Sequence, residues 1–416
     1  MMQTHDLVVV GGGPAGMAAA VAAYDAGITD VVILDREAQL GGILMQCIHN
    51  GFGLHKLGKE LTGPEYAAVY EQMVRSRNIP VCYETMVTAV SPDKVVTARN
   101  RSGILKIQAK AVILAMGCRE RSRGALNICG TRPAGIYSAG TAQKLINCLG
   151  YQPGKRVVIL GSGDIGLIMA RRLRYAGAQV EAVCEVMPYS GGLTRNIVQC
   201  LEDFGIPLYL STTVVQIHGT KRLEGVTIAQ VDERRQPIEE TKRYIPCDTL
   251  LLSVGLIPEN ELTRAAGIPM DPVTNGALVD EACQTAIPGI FACGNVLQVH
   301  DLVDYVSEEA ERAGIGAAAY IRGSQASDVM LTTQPGNGVR YVLPQTIRST
   351  GDAVSLFLRV TQPFGRVKFT VSDQKGILTT ANRLKAAPGE MEKLTLKPEV
   401  LKRAEGPITV SLEVLE

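Results

Sequence analysis

The stretch DLVVVGGGPAG, residues 6–16, decides the fold. Its apolar run ends in three consecutive glycines, and the alanine-rich segment MAAAVAAYDAG, residues 17–27, follows it. A second apolar run, DVVILDRE, residues 30–37, closes on charged side chains. Strands that are buried on both faces read in sequence as continuous apolar runs. This order therefore predicts a parallel β–turn–α–β unit.

The turn of this unit fits the pattern G-x-G-x-x-G with Gly11, Gly13 and Gly16. The first glycine permits the tight bend, the second lets the backbone approach a pyrophosphate, and the third lets helix and strand pack closely. The helix N-terminus then offers free N–H groups to phosphates. Asp35, nineteen residues after Gly16, ends the second strand, where an acid binds a ribose hydroxyl. Together these spacings predict a dinucleotide site.

The same pattern recurs in KRVVILGSGDIGLIMARRLRYAGAQVEAVCE, residues 155–185. Its glycines are Gly161, Gly163 and Gly166, and Glu185 lies nineteen residues beyond the last of them. Two such units imply two bound dinucleotides. An acid at the second strand end favours a free 2′-hydroxyl, whereas a 2′-phosphate more often meets an arginine. The second site is therefore predicted to take NAD(H) rather than NADP(H).

Composition limits the remaining function classes. The 42 basic and 41 acidic residues leave a formal charge of +1, which gives no electrostatic basis for binding nucleic acid or an anionic membrane. The ten cysteines are scattered without a C-x-x-C pair and there are five histidines, so we expect no metal or iron–sulfur site in this polypeptide. A large chain with scattered cysteines is typical of a reduced, cytoplasmic protein.

One uncharged segment has a length close to that of a membrane span. It runs over residues 7–24. No basic segment precedes it, and the glycines and proline at 11–14 interrupt its first half. We therefore expect neither a signal peptide nor a transmembrane helix there.

From about Gln334 the pattern changes. Segments such as AVSLFLRVTQPFG (353–365), VKFTVSDQKG (367–376) and ITVSLEVLE (408–416) alternate apolar and polar residues between turn signals. This alternation is typical of a small antiparallel β domain. The region contains no cysteine and no histidine, so its expected role is docking to a partner or a second copy, or covering the rest of the chain.

Three more segments follow the glycine turns in a fixed order: AVILAMGCRE (111–120), CDTLLLSVGLIPEN (247–260) and IPGIFACGNV (287–296). With them the chain, over roughly residues 5–325, resembles the FAD- and NAD-dependent flavoproteins related to the pyridine nucleotide–disulfide reductases. The resemblance implies an α/β fold of the glutathione reductase type, with two Rossmann-like domains. FAD would bind at the first glycine turn and the nicotinamide cofactor at the second, in an inserted domain.

The implied domains are residues 1–152 and 273–330 for FAD, 153–272 for NAD, and 334–416 for the β-rich C-terminal domain. The FAD-binding residues implied by the resemblance are Gly11, Gly13, Pro14, Ala15, Gly16, Asp35, Arg36, Gly42, Val87, Ala115, Gly117, Gly294, Asn295 and Asp301. Those implied for NAD are Gly161, Gly163, Asp164, Ile165, Gly166, Glu185, Val254 and Gly255. Asn295 departs from the family, which usually has aspartate there; its amide can still bond a ribityl hydroxyl or a phosphate oxygen.

The segment LGGILMQCIHNGFG, residues 40–53, departs further. Disulfide reductases of this architecture place C-x-x-x-x-C just after its two glycines. Here Leu44 and His49 occupy about those two positions, with Cys47 between them. A thiol–disulfide relay needs an attacking and a resolving thiol. The family's C-terminal His–Glu pair also has no counterpart, because no histidine follows His300.

The sequence thus argues against a disulfide reductase and leaves three candidates beside the flavin: Cys47, His49 and His300. Cys47 could cycle as a sulfenic acid with His49 as proton donor, or both could simply pack. His300 and Asp301 begin a helix that would point at the flavin, where its N-terminus can stabilise an anionic ring. Asp301 could alternatively be only a helix cap and His300 only a packed imidazole.

Two longer segments narrow the resemblance: GTRPAGIYSAGTAQKLIN (130–147) and GNVLQVHDLVDYVSEEAERAG (294–314). They resemble the NAD-side flavoprotein subunits of opine and amino-acid dehydrogenases and of hydrogen cyanide synthase, and flavoproteins encoded beside anaerobic glycerol-3-phosphate dehydrogenases. NGFGLHKLGKELTGPEYA (50–67) favours the last group. The implied partners are a dehydrogenase subunit and an iron–sulfur subunit, in a hetero- or homo-oligomer.

Four functions follow from these patterns. The first is an FAD protein exchanging electrons with NAD(H) inside a glycerol-3-phosphate dehydrogenase assembly. The second is the equivalent subunit for an opine or an amino acid. The third is a dinucleotide-binding scaffold without turnover. The fourth, an NADH oxidase or peroxidase, depends on Cys47 alone.

Overall fold

The computed structural model describes residues 2–324, 330–348 and 351–415. Residues 325–329, at the end of the expected second FAD segment, lie outside the described residues. The chain divides into two compact units. The larger unit comprises Met1–Cys118 and Pro258–Glu416, and the inserted unit comprises Arg119–Ile257.

The α-helices in chain order are α1 (Pro14–Asp25), α2 (Gly63–Ser76), α3 (Ala139–Asn147), α4 (Asp164–Tyr175), α5 (Thr194–Cys200), α6 (Glu261–Ala265), α7 (Val303–Ile321) and α8 (Pro398–Leu401). The strands up to the inserted unit are β1 (Gln3–Val10), β2 (Val31–Leu34), β3 (Asn50–Phe52), β4 (Leu61–Thr62), β5 (Val81–Cys82), β6 (Met86–Val90), β7 (Val95–Asn100), β8 (Gly103–Leu114) and β9 (Cys118–Glu120).

The next strands are β10 (Cys129–Gly130), β11 (Ile136–Ser138), β12 (Arg156–Leu160), β13 (Gln179–Cys184), β14 (Leu208–Tyr209), β15 (Thr212–His218), β16 (Gly225–Gln230), β17 (Arg243–Pro246), β18 (Thr249–Leu252) and β19 (Leu256–Pro258). The remaining strands are β20 (Ile290–Ala292), β21 (Leu331–Pro335), β22 (Val339–Leu343), β23 (Thr346–Ile347), β24 (Val354–Val360), β25 (Val367–Asp373), β26 (Gly376–Arg383), β27 (Glu392–Leu396) and β28 (Ile408–Val414).

The main sheet of the larger unit has the order β5-β2-β1-β8-β7-β6, with β20 also paired to β8. Strands β5, β2, β1, β8 and β20 run parallel, while β7 and β6 add an antiparallel edge. Both faces of β1 are buried: Leu7 and Val9 enter one core cluster, and Val8 and Val10 enter the other. The continuous apolar run is therefore confirmed as a strand covered on both faces.

Helices α1 and α7 cover one face of this sheet and pack on each other. Of α1, eight residues are buried, five of them alanines. A Cβ on Gly314 of α7 would lie 2.3 Å from the carbonyl oxygen of Ala19, so the close approach requires a glycine there. Small side chains on both helices thus set the spacing that places the first turn of α1 beneath the residues following β20.

The inserted unit repeats the same plan on a smaller scale. Its parallel sheet has the order β11-β18-β12-β13-β14, and a second sheet has the order β10-β15-β16-β17. The expected boundaries at 153 and 272 differ from the observed 119 and 257. Strands β10 and β11 lie before residue 153 but pair with β15 and β18 of the inserted unit. After residue 257, Ala266 and Ile268 belong to a core cluster of the larger unit.

The C-terminal part forms two sheets, β23-β21-β28-β25-β26 and β22-β24-β27, around one core. Their ladders are antiparallel except for β21, which pairs with β28 in parallel. The alternation that predicts a β domain is confirmed, with one parallel pair added. The first strand begins at Leu331, before the expected limit of 334, and this part belongs to the larger unit.

Asp280 lies where the C-terminal part meets the end of the FAD-related segment. Its Oδ1 accepts the backbone N–H groups of Ala282 and Gln284, and its Oδ2 lies 3.5 Å from Nε of Arg348. Burial raises the pKa of this carboxyl to about 6, against an ordinary 3.8. The folded protein therefore binds this proton at a higher pH than the unfolded chain does.

We expect this carboxyl to make the protein more stable as the pH falls from 7.5 towards 5. The folded pKa lies above the unfolded value, so ionisation costs folding free energy above pH 6, up to about 3 kcal/mol. Asp280→Asn should raise the free energy of unfolding at pH 7.5 and remove this part of the pH dependence. Urea unfolding at several pH values measures both effects, and an unchanged pH profile in the variant would contradict the assignment.

Candidate functional site

The glycine turn after β1 forms a cradle with little room for side chains. Gly11 has φ +108°, and a Cβ on it would lie 2.4 Å from the carbonyl oxygen of Ala115. A Cβ on Gly16 would lie 1.7 Å from the carbonyl oxygen of Gly11. By contrast, a Cβ on Gly13 would meet no protein atom within 4 Å. Gly11 and Gly16 are thus needed for packing, whereas Gly13 leaves open space at the N-terminus of α1, where Pro14 is the first residue.

Asp35 closes this turn from the end of β2. Its carboxylate accepts the backbone N–H groups of Gly12 and of Glu37, the second at 2.7 Å. Burial raises its pKa above the ordinary value, although both backbone donors favour the ionised form. The neighbouring Arg36 is exposed and lies 4.0 Å from the carboxylate of Glu37. The acid therefore has a fixed position beside the glycine turn, and the arginine does not.

Two later segments meet the same turn. The backbone N–H of Gly41 donates to the carbonyl of Gly12 at 2.9 Å, and a Cβ on Gly42 would lie 3.2 Å from Cα of Gly13. A Cβ on Gly294, φ +75°, would lie 2.7 Å from Cβ of Ala15. Segments from three distant parts of the sequence therefore converge on the start of α1.

Asn295 follows Gly294 in a short 3₁₀ turn and is half-buried. Its Oδ1 accepts the backbone N–H of His300 at 3.0 Å, and its Nδ2 lies 3.6 Å from Sγ of Cys118 as a donor. An aspartate could accept the first bond but could not donate the second. The sulfur beside it gives a physical reason for an amide at this position. Gly117, with φ +72°, immediately precedes that cysteine.

His300 is buried, and its Nε2 lies 3.4 Å from Oε2 of Glu309 on α7. Asp301 does not cap α7, because the N-cap of that helix is Leu302 and receives no side-chain bond. Instead its carboxylate accepts from Arg359 of β24 and from the backbone of Met391, both at 3.3 Å. The capping hypothesis for Asp301 is therefore wrong: the residue ties the start of α7 to the C-terminal sheet.

The segment after Gly42 is a 3₁₀ turn, Gly42–Gln46. Leu44 is a buried member of the larger unit's core cluster. The thiol of half-buried Cys47 donates to the carbonyl of Ile43 at 3.3 Å. Nδ1 of His49 donates to the carbonyl of Asn50 at 3.0 Å, and its ring lies 5.1 Å from that of Phe52. The position that the family resemblance gives to the first redox cysteine is thus part of the hydrophobic core.

The second glycine turn, after β12, has the same construction. Gly161 has φ +100°, and a Cβ on it would lie 2.0 Å from the carbonyl oxygen of Ser253. A Cβ on Gly166 would lie 2.7 Å from the carbonyl oxygen of Gly161. A Cβ on Gly163 would meet only Oγ of Ser253, at 3.9 Å. The second turn again leaves open space at one glycine, at the N-terminus of α4.

Glu185 takes the place that Asp35 has in the first turn. Its Oε2 accepts the backbone N–H of Ser162 at 2.9 Å and the Ser162 hydroxyl at 2.7 Å, and its Oε1 accepts from the backbone of Met187. Asp164, in the first turn of α4, accepts from the backbone of Leu193 and from Nδ2 of Asn196. Two ordered acids therefore flank the second turn.

The remaining predicted residues fall in the same two units. Val87 is buried in β6, and Ile165 is half-buried in α4. Val254 and Gly255 follow β18, and Gly255 has φ +99°. All residues predicted for FAD lie in the larger unit, and all those predicted for NAD lie in the inserted unit.

Sequence reasoning missed Glu309, Gln298, Ser162 and Asn196. The signal for Glu309 is its place beside the apolar stripe of α7, formed by Val306, Ala310 and Ala313. An acid next to such a stripe is buried, although the run SEEAER reads as a solvated face. The other three residues bond acids that are distant in the chain, which no local pattern reveals.

A family model described as pyridine nucleotide-disulphide oxidoreductase matches residues 5–314. The chain belongs to this family. It is accordingly an FAD-dependent pyridine-nucleotide oxidoreductase whose cofactors are FAD and NAD(P). This result confirms the resemblance, the fold class of two Rossmann-like domains with a further β-rich part, and the pair of cofactors.

Several curated relatives share about a quarter of their residues with this chain. An opine oxidase subunit of Agrobacterium tumefaciens is 27% identical over 318 residues, which are 70% of this chain and 61% of that protein. Mitochondrial dihydrolipoyl dehydrogenase of Caenorhabditis elegans is 27% identical over 337 residues, 71% of this chain and 64% of that one. Hydrogen cyanide synthase subunit HcnB of Pseudomonas aeruginosa is 26% identical over 313 residues, 70% and 66% respectively. The chain thus spans under two thirds of the length of these relatives.

Among solved structures, thioredoxin reductase of T. acidophilum superposes with a TM-score of 0.63 at 22% identity, covering 76% of this chain and 98% of that one. Thioredoxin reductase of Lactococcus lactis gives a TM-score of 0.62 at 19% identity, with 76% and 99% coverage. These likenesses concern the fold. In the described residues, no helix has both the length and the apolar character needed to cross a membrane, and no three His, Cys, Asp or Glu side chains group as a metal site.

The residues present fit both cofactors. At Gly13 and Gly163 the missing side chain faces open space, as the close approach of a pyrophosphate requires. An acid stands at the end of the following strand in each case, Asp35 or Glu185, where it can receive a ribose hydroxyl. The larger unit would hold FAD and the inserted unit the nicotinamide dinucleotide.

Proposed function

We propose that this chain is the nicotinamide-side subunit of a multisubunit dehydrogenase, exchanging electrons between NAD(H) and a partner through FAD. The observation that carries the proposal is the core position of Leu44, 2% exposed, beside two complete dinucleotide cradles. When bound, FAD supplies the two-electron chemistry. A disulfide relay would need a thiol at that position, so the electrons that do not go to NAD have to reach another protein.

The names of two relatives support a subunit role, since one is a subunit of opine oxidase and the other is a subunit of hydrogen cyanide synthase. For the partner we propose a glycerol-3-phosphate dehydrogenase, which rests on the segments at 50–67 and 294–314. An opine or amino-acid dehydrogenase is the second candidate, favoured by the match to the opine oxidase protein.

The residues of the second cradle favour NAD(H). Glu185 is 8% exposed and is fixed by three hydrogen bonds, so its charge cannot swing away from an arriving 2′-phosphate. A phosphate placed there meets a carboxylate in a poorly solvated position, which is unfavourable.

An anaerobic titration of the FAD-loaded protein tests the proposal. We expect NADH to bleach the flavin band near about 450 nm, NADPH to need at least about tenfold more, and glycerol 3-phosphate to leave the band unchanged. Adding a glycerol-3-phosphate dehydrogenase subunit should then couple the two substrates. Direct bleaching by glycerol 3-phosphate would place the substrate site in this chain and contradict the division of labour. A flavin that NADH cannot bleach would instead indicate a scaffold.

Cys47→Ser is expected to leave the rate of flavin reduction by NADH within about twofold of the wild-type rate. The thiol donates a hydrogen bond to a backbone carbonyl, which requires its proton, whereas peroxide chemistry requires the thiolate. Stopped-flow absorbance measures this rate, with Cys82→Ser as a control at another half-buried thiol. A peroxidase activity that disappears only in Cys47→Ser would revive the fourth function.

A further inference from the structure

A buried carboxylate lies at the centre of the loop Gly294–His300, which we call the closing loop. Glu309 projects from α7 and is 0% exposed. Its Oε1 accepts the backbone N–H of Gly294 at 2.7 Å, and its Oε2 accepts Nε2–H of Gln298 at 2.8 Å. His300 places Nε2 at 3.4 Å from the same Oε2. One carboxylate therefore contacts the start, the middle and the end of the loop.

The closing loop in turn meets the first cradle. Gly294 abuts Ala15 at the start of α1, and Asn295 lies beside Cys118. The Asn295 side chain also receives the backbone N–H of His300, so the loop is closed by its own residues around the carboxylate. A change at Glu309 is thereby transmitted to the backbone beside the pyrophosphate turn.

The electrostatics require an ionised acid. Burial by itself raises the pKa of Glu309, but the charge of His300 and its bond, Arg312 and the Gln298 amide together hold the pKa below its ordinary value. A buried charge of this kind is tolerated only with a countercharge. His300 is the cation in contact with it, at ion-pair distance.

The loop also carries polar atoms without a protein partner in the described part of the chain. Nδ1 of His300, Oε1 of Gln298 and Oδ1 of Asp304 are buried and accept or donate no hydrogen bond there. Buried polar atoms are nearly always bonded to protein, water or ligand. Three unsatisfied atoms within seven residues indicate a loop shaped for something besides itself.

We propose that Glu309 is a positioning residue for FAD: its carboxylate sets the shape of the closing loop, with His300 as its countercharge. The acid does not touch the cofactor in this role. It holds Gly294 against α1 and orients Asn295 and His300. Removing either charge strands the other in the core, whereas removing both restores neutrality.

The test measures the FAD dissociation constant of the full-length apoprotein by flavin fluorescence, together with apoprotein stability and the visible circular dichroism of bound flavin. We expect Glu309→Gln and His300→Gln each to raise the dissociation constant about tenfold, and the double variant to lie near tenfold instead of hundredfold. The dichroism of bound flavin should change in both single variants. Glu308→Gln removes the same charge one residue away, where the carboxylate meets Lys393, and should bind FAD as the wild type does.

Two outcomes would overturn the proposal. One is a double variant whose loss is the product of the single losses. The other is a Glu309→Gln protein with lower apoprotein stability but wild-type FAD affinity and dichroism, which would make the acid merely structural. Should Glu309→Gln not fold, Gln298→Met removes one donor at similar volume: a dissociation constant raised about threefold or more supports the role, and an unchanged one opposes it.

Discussion

Replacing Gly13 by alanine is expected to give a folded protein that has lost its flavin. Gly13 has φ −74° and ψ −172°, which alanine adopts without strain, and its Cβ would meet no protein atom within 4 Å. Apoprotein stability should therefore stay within about 1 kcal/mol of wild type. The added methyl occupies the space that a pyrophosphate needs, so the FAD dissociation constant should rise about a hundredfold, or about 2.7 kcal/mol.

Purification yield of flavin, flavin fluorescence titration and urea unfolding of the apoprotein measure these effects. Gly365→Ala is the matched control, because its Cβ also meets nothing and it lies in the C-terminal part. Gly16→Ala marks the opposite extreme: its Cβ would lie 1.7 Å from the Gly11 carbonyl oxygen, so the fold itself should fail. A Gly13→Ala protein that binds FAD normally would show that the first cradle is not the FAD site.

Replacing Gly163 by alanine is expected to separate the two cofactors. The backbone there, φ −67° and ψ 163°, accepts alanine, and the Cβ would meet only Oγ of Ser253 at 3.9 Å. The protein should keep its FAD, because all residues assigned to FAD lie in the other unit. The NADH concentration for half-reduction of the flavin should rise about a hundredfold.

Stopped-flow reduction over a range of NADH concentrations, with the FAD content measured in parallel, checks this expectation. Gly124→Ala is the control in the same unit, since its Cβ would meet only Oγ of Ser122 at 3.8 Å. If Gly163→Ala were reduced by NADH at the wild-type concentration, the second cradle would not bind the nicotinamide cofactor.

The two β–turn–α–β units could be predicted because their signals are local. An apolar run, a glycine at positive φ and an acid at the next strand end lie within one stretch of about thirty residues. The alternation near the C-terminus similarly predicts most strands there. Strand β26, with only Leu378 buried in the pattern of its eight residues, carries too weak an alternation to be recognised.

Contacts between distant residues could not be predicted. Asp301 precedes a helix and reads as a cap, but Arg359 competes for its carboxylate from 58 residues away. Glu309 reads as part of a charged surface, and only the packing of α7 over the closing loop buries it. The boundary of the inserted unit depends in the same way on strand pairing, since β10 and β11 join sheets whose other strands come later.

The contact between Ala19 of α1 and Gly314 of α7 has a consequence for synthesis of the chain. The two residues are 295 positions apart (314 minus 19), and ribosomes add about 5–20 residues per second, so α1 waits roughly 15–60 s for its covering helix. The inserted unit can complete its own sheets during that interval, because all their strands lie within it. Each alanine exposes little apolar area. The small side chains that permit the close helix contact therefore also limit what the nascent chain offers to aggregation.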